Sequence, residues 1–274
     1  MSQGYYRSLF DLNGRVALVT GATGILGRYF TAALADCGAA IAVVDLDQSA
    51  ADDLAGELTQ TYGVHAIGVA TDVANEQAVL AMAEEVESKL GPVDILHNNA
   101  ATKGSSLEAF FEPLDTFSLD TWSEIMAVNL DGMFLVARTV GERMALRRRG
   151  SIIQTASIYG AMGPDQRIYE GSSYMDRPIN TPAVYSASKS GVLGLTRYLA
   201  TYWADKGVRV NALTPGGVES GQNDTFRRRY SARVPMGRMA DPREVASTLV
   251  FLASDASSYI TGQNLMVDGG LSAW

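Results

Sequence analysis

Seven short runs of β-branched and small apolar residues, each parted from the next by a longer stretch, constrain this chain more than any other feature. They are RVALVT (15–20), AAIAVVD (39–45), HAIGVATD (65–72), VDILHNNA (93–100), SIIQTAS (151–157), VRVNALTP (208–215) and NLMVDG (264–269). Runs this continuously apolar read as strands buried on both faces. Between most of them lie helical patterns such as GRYFTAALADCG, QSAADDLAGELTQTYG and NEQAVLAMAEEVESKLG, several closed by the glycine expected just past a helix. Strand and helix in alternation call for right-handed crossovers, which put helices on both faces of a parallel sheet. The expected fold is α/β, a doubly wound sheet of about seven parallel strands, with residues 1–274 read as a single domain.

One segment departs from the alternation. From Ile158 to Pro182 the sequence IYGAMGPDQRIYEGSSYMDRPINTP separates a strand from a helix by more than a connection needs. Loops that long inside a compact domain are usually functional or disordered. Composition removes several classes of function. A formal charge of −8 argues against a nucleic-acid surface, and the RRR runs at 147–149 and 227–229 are too short to make a basic face. The lone cysteine, Cys37, excludes an internal disulfide, suits a reducing compartment and reads as a small buried hydrophobe. MSQGYYRSLFDLNGR carries no secretory pattern and no apolar run approaches membrane-spanning length, so a cytoplasmic location is expected, with no membrane partner. No metal site is expected either.

The stretch TGATGILG (20–27) follows the first strand and opens the first helix. Glycines there let the backbone turn tightly and approach a pyrophosphate, while the helix start offers unpaired N–H groups and a positive dipole end. Asp45 ends the second strand eighteen positions after Gly27, close to the spacing of the acid that binds the adenosine ribose in a Rossmann dinucleotide fold. A carboxylate accepts from both ribose hydroxyls of NAD and repels the 2′-phosphate of NADP. NAD(H) is favoured, and Arg28 in the first helix keeps NADP(H) open.

Tyr185 and Lys189, in AVYSASKSG (183–191), are four apart and face the same way on a helix. A free phenol has a pKa of about 10, and a nearby ammonium together with a cationic nicotinamide favours its phenolate. Small neighbours Ser186, Ala187, Ser188, Ser190 and Gly191 are expected to leave room for ligands against that helix.

Together TGATGILG, HNNAA, MAVNLDG, TASIYG, YSASK, PGGVES and SSYITGQNLMVDGG resemble the short-chain dehydrogenase/reductase family, in order and across nearly the entire chain. The resemblance implies an NAD(P)-dependent enzyme interconverting a secondary alcohol and a ketone through a tetrad of Asn129, Ser157, Tyr185 and Lys189. In that reading Ser157 holds the substrate oxygen, and Tyr185 donates or removes the proton. Lys189 binds the nicotinamide ribose and lowers the tyrosine pKa, while Asn129 anchors a relay water. Cofactor contacts implied are Gly21, Thr23, Gly24, Ile25, Leu26, Gly27, Asp45 and Leu46 at the phosphate end. Asp72, Val73, Asn99, Ala100 and Ala101 would hold the adenosine, and Pro215, Gly216, Val218 and Ser220 the carboxamide, with Tyr185 and Lys189 between. Three departures stand out: the glycine spacing is TGxxGxxG, NNAA replaces NNAG, and Ser157 precedes Tyr185 by 28 positions.

The extra length is the 158–182 insertion, whose Asp165, Gln166, Arg167, Tyr169, Glu170, Tyr174 and Arg177 suit a polyhydroxylated or acidic small molecule. Arg167, with Ser157 and Tyr185, is the expected substrate contact, and a subunit-contact or surface loop is the competing reading. SIYGAMGPDQRIYEG and the C-terminal wording also look like the branch that modifies surface sugars and flagellin glycans. Rival functions are a sugar epimerase or dehydratase with retained NAD, which would be expected to carry a further substrate domain, and a non-catalytic NAD-binding regulator, which would lack the tetrad. SASK (186–189) matches a serine-hydrolase S-x-x-K without its companion motifs. A homotetramer or homodimer joined through the helices bearing Asn129 and Tyr185 is implied.

Overall fold

The computed structural model describes residues 4–174 and 177–274, and of Tyr174 and Arg177 the backbone alone. Strands β1 (Val16–Thr20), β2 (Ala40–Asp45), β3 (Ala66–Ala70), β4 (Val93–Asn98) and β5 (Gly150–Thr155) precede the insertion. Within it, β6 (Ser173–Tyr174) and β7 (Arg177–Pro178) form a small antiparallel pair, and β8 (Val208–Pro215) and β9 (Asn264–Val267) follow. The main sheet has seven strands in the order β3-β2-β1-β4-β5-β8-β9, every neighbouring pair parallel. All seven expected strands are present, and helices cover both faces.

Side-chain alternation explains why these runs are so apolar. In β1, Ala17 and Val19 pack with Phe30 and Leu34 of helix Ile25–Asp36 and Leu249 of helix Pro242–Ala253. Val16 and Leu18 pack on the other face with Met82 of helix Glu76–Leu90 and Val140 of helix Met133–Leu146. A strand between two such cores has no polar side to show. Helix boundaries follow local chemistry. Asp47 and Asn75 cap their helices through Ala50 N and Ala78 N, and Gly63 closes helix Gln48–Tyr62 at φ 70°. Cys37 sits at a helix end and is partly exposed rather than buried, and burial together with nearby Asp36 raises its thiol pKa.

Several expected strands run one or two residues too far. Thr71, Asn99 and Ser157 leave the ladder at the carboxyl ends of β3, β4 and β5. Those ends lie along one edge of the sheet, and strand order reverses between β1 and β4, where open α/β sheets hold ligands.

Candidate active site

The loop after β1 has a shape that only glycine permits at two positions. Gly21 has φ +62°, and a Cβ there would lie 2.8 Å from Ala100 Cα; at Gly27 it would lie 2.2 Å from the Gly21 carbonyl oxygen. The turn is thereby pressed against the end of β4, where Thr20 Oγ1 accepts from Asn99 N at 2.9 Å and Ala100 N at 3.0 Å. Gly24 is the N-cap of helix Ile25–Asp36 and offers no side-chain cap, so the first N–H groups of that helix are available to an anion. Asp45, at the end of β2, accepts from Thr23 N at 2.9 Å, Thr23 Oγ1 at 2.6 Å and Leu46 N at 2.8 Å. Arg28 pairs with Glu57 at 2.9 Å.

The remaining cofactor-contact candidates lie along the same edge. Asp72 Oδ1 accepts from Ala74 N at 2.9 Å, and Val73 is buried beside Gly132. Asn99 Nδ2 donates to the Thr20 and Gly21 carbonyls at 3.2 Å each. Gly216 N donates to Val267 O at 2.9 Å, Val218 bridges Ala240, and Ser220 N donates to Gln222 Oε1 at 2.8 Å. A backbone-lined turn, an uncapped helix start and a carboxylate one strand away fit a dinucleotide.

At the other end of the edge, Ser157 caps the short helix Ile158–Ala161, and its hydroxyl is near enough to the Tyr185 phenol to lower its pKa. Lys189, one turn along helix Ala183–Trp203, is buried and donates from Nζ to the Thr155 carbonyl oxygen at 2.9 Å. Thr155 Oγ1 meets His97 Nε2 at 2.8 Å, and burial lowers the His97 pKa to about 3, so the imidazole is a neutral prop beneath the site. Asn129 lies inside a single π-helical stretch, Ala127–Gly132, that interrupts an otherwise continuous helical run from Leu119 to Leu146. Its amide is paired at both ends with Thr102, accepting from N at 2.7 Å and donating to O at 3.2 Å. Such bulges recur at functional sites.

Two buried groups are shifted. Burial raises the Tyr185 pKa, and the nearby Ser157 hydroxyl partly offsets the rise. Lys189 is itself depressed to about 8 by desolvation, and its ammonium is directed at the Thr155 carbonyl. Small residues beside Tyr185 serve packing as much as ligand room. A Cβ on Gly160 would lie 2.5 Å from Lys189 O, one on Gly191 would lie 2.7 Å from Leu130 Cδ2, and Ser190 Oγ donates to Gly160 O at 2.9 Å.

Beside the start of the Tyr185 helix lies a cleft of about 1030 Å³, lined by Leu114 and Phe117 on one side, by Pro164, Gln166 and Tyr169 on another, and floored by Ala183 and Ser186. Gln166, Tyr169 and Glu170 of the insertion reach it. Arg167 does not. It grips Asp165 through Nε and Nη2, both at 2.8 Å, and its side chain is 82% exposed. One residue, Gln166, lies between the two, so the pair is a local one. Arg167 therefore stands outside the lining of this cleft, paired with Asp165. The expected contributions of the Tyr174 and Arg177 side chains lie outside the described residues.

Sequence patterns missed the residues that dock the insertion. Tyr169 stacks on Phe226 at 5.5 Å, Phe226 packs on Tyr230 at 5.7 Å, and the Tyr230 hydroxyl accepts from Gly217 N. Arg229 pairs with Glu170 at 3.1 Å, and Arg233 approaches Asp165 at 3.4 Å. The available signal was the aromatic spacing of Phe226 and Tyr230 on helix Asp224–Ser231.

No helix among the described residues is long and apolar enough to cross a membrane. A family profile described as Enoyl-(Acyl carrier protein) reductase matches residues 21–272. The chain is 39% identical over 266 residues to D-threitol dehydrogenase of Mycolicibacterium smegmatis, covering 95% of this chain and 94% of that one. It is 38% identical over 275 residues to galactitol 2-dehydrogenase (L-tagatose-forming) of Cereibacter sphaeroides, covering 98% and 99%. A gluconate 5-dehydrogenase from Burkholderia cenocepacia, solved with NADP and tartrate, superimposes with a TM-score of 0.84 at 34% identity, covering 97% of this chain and 98% of that one.

Proposed function

The chain belongs to the short-chain dehydrogenase/reductase family and is an NAD(P)-dependent oxidoreductase acting on CH–OH groups, and from that premise we propose that it oxidises a neutral polyol-type secondary alcohol with NAD through Asn129, Ser157, Tyr185 and Lys189. The observation that carries this reading is Ser157, at the carboxyl end of β5, brought near the Tyr185 phenol, with Lys189 anchored one turn along on Thr155 O at 2.9 Å.

Each residue has a task. Gly21, Thr23, Gly24, Ile25, Leu26 and Gly27 would hold the pyrophosphate, Asp45 and Leu46 the ribose, and Asp72, Val73, Asn99, Ala100 and Ala101 the adenosine side. Pro215, Gly216, Val218 and Ser220 would border the carboxamide. When bound, the dinucleotide supplies the acceptor or donor of the hydride. Ser157 orients the substrate oxygen, and Tyr185 carries the proton at that oxygen. A phenol kept protonated by burial is ready as the acid for ketone reduction, so alcohol oxidation is expected to speed up as pH rises toward its pKa. Asn129 holds the Thr102 segment beside the π-helical turn.

Preference for NAD rests on the carboxylate of Asp45 and on Arg28, whose guanidinium is engaged by Glu57 rather than directed at a 2′-phosphate. A neutral substrate is favoured because Arg167, Arg229 and Arg233, the described cations around the insertion, are all paired, while Glu112 and Glu170 line the cleft. The same pairing disfavours sugar acids and sugar phosphates. Self-association as a dimer or tetramer is supported by the exposed Tyr198 and Tyr202 of helix Ala183–Trp203 and by exposed Phe134.

Nicotinamide absorbance should be followed with alditols, aldonic acids and sugar phosphates, using NAD and NADP in parallel. Of these three classes the neutral alditols, with NAD, should outpace the aldonic acids and sugar phosphates. Tyr185→Phe should lose about 10²- to 10⁴-fold in kcat while retaining dinucleotide binding. Equal turnover by that variant would remove the tetrad reading.

A further inference from the structure

The cleft beside the Tyr185 helix is poorly matched to a ligand that is hydroxylated along its whole length. At about 1030 Å³ it lies at the upper end of small-molecule sites, larger than a four- to six-carbon polyol needs. Its polar wall groups are turned onto one another. Gln166 Nε2 donates to Thr181 O at 2.9 Å and its Oε1 accepts from Thr181 N at 3.3 Å, while Tyr169 OH meets Thr181 Oγ1 at 2.5 Å. Glu112 accepts from Thr116 Oγ1 at 2.8 Å, and Asn180 Nδ2 donates to Phe111 O at 2.8 Å. Ser186 Oγ and Asn180 Oδ1 are buried and without a partner among the described residues, too few to satisfy a long polyol. Most of what faces the space is hydrocarbon, from Leu114, Phe117, Pro164, Pro178, Ile179 and Pro182, with Glu170, Ser172 and Ser173 as further polar residues on the wall.

Resting on the oxidoreductase reading above, we infer that the substrate is amphipathic: a neutral, hydroxylated reacting end at Ser157 and Tyr185, and an apolar body of several carbons in this cleft. Ser157 and Tyr185 do not themselves line the cleft, but Ala183 and Ser186 line it on the first turn of the helix that carries Tyr185, and Tyr169 of its wall is near enough to the Tyr185 phenol to raise its pKa. In oxidation the carbinol C–H and O–H bonds are replaced by the second C–O bond; the hydride reduces NAD and the proton leaves through the Tyr185 phenol.

The test is a 1,2-alkanediol series from propanediol to octanediol beside alditols, each assayed for kcat/KM with NAD. The expected result is a rise of roughly threefold to fourfold per added methylene, with octanediol surpassing the six-carbon alditol. Leu114→Asp and Ile179→Ser should each flatten that slope. Leu114 is 78% exposed, so its replacement does not endanger folding. A flat slope in the parent, or a slope that both variants preserve, overturns the inference. Calorimetric titration of octanediol and propanediol separates the two levels of the argument. Octanediol binding without turnover keeps the apolar cleft and removes the alcohol-oxidation reading, whereas neither binding nor turnover removes both.

Discussion

The two ends of the site are held in different ways. At the dinucleotide end, the turn after β1 is shaped by backbone against backbone: a Cβ on Gly27 would meet the Gly21 carbonyl at 2.2 Å, and one on Gly21 would meet Ala100 Cα at 2.8 Å. At the substrate end, the insertion is held by side chains reaching across the chain. Asp165 meets Arg233, Glu170 meets Arg229, and Tyr169 stacks on Phe226. Backbone contacts of the first kind tolerate no change of residue, while exposed pairs of the second kind can be exchanged singly with little loss.

Three substitutions probe that contrast, beginning with the largest effect. Gly27→Ala should destabilise the fold by about 3 kcal/mol, since neither the Gly21 nor the Ala22 carbonyl can move without opening the turn. Urea unfolding measures this, and a loss below about 1 kcal/mol would mean that the turn is softer than its geometry implies.

Between the two ends, Lys189 gives a pH-dependent effect. Burial lowers its pKa to about 8 from 10.5, so between those values the unfolded chain binds the proton that the folded chain has released. Stability contributed by this site therefore rises with pH across that window, and below pH 8 the full penalty of a buried ammonium applies. Relative to Lys189→Met, the parent should gain roughly 3 kcal/mol between neutral pH and the upper limit. Thermal unfolding of both proteins at several pH values reads the difference directly, and parallel curves would show that the ammonium is better solvated than its burial suggests.

The smallest effect belongs to the insertion. Arg167→Ala should leave the midpoint of urea unfolding unchanged and the KM for alcohols within about twofold, because the guanidinium faces solvent and its partner Asp165 keeps Arg233. A large rise in KM would return Arg167 to the substrate site and make the two ends alike.

How much was legible from sequence follows the same division. The strands could be read because burial on two faces leaves a continuous apolar run, and Gly21, Gly27 and Asp45 because a tight turn and a strand-end acid have a fixed spacing. Tyr185 and Lys189 could be placed on one helical face by their separation alone. The π-helical stretch around Asn129 could not be read, since one shifted hydrogen-bond step leaves no periodic trace. The role of Thr155 beneath Lys189, with His97 beneath it in turn, was hidden because those partners meet only across strands and helix. The pairing of Arg167 with Asp165 was hidden because a list of charged residues does not say which of them pair with each other.

By itself the amino-acid order determined the doubly wound sheet, the edge at which its loops gather and the residue types brought there, since each follows from a short-range repeat or a local steric demand. Only the tertiary structure decided which charges cancel, which way the Tyr185 pKa moves and how apolar the cleft is. Those properties depend on desolvation and on neighbours far away in the chain, and distance along the chain carries no information about either.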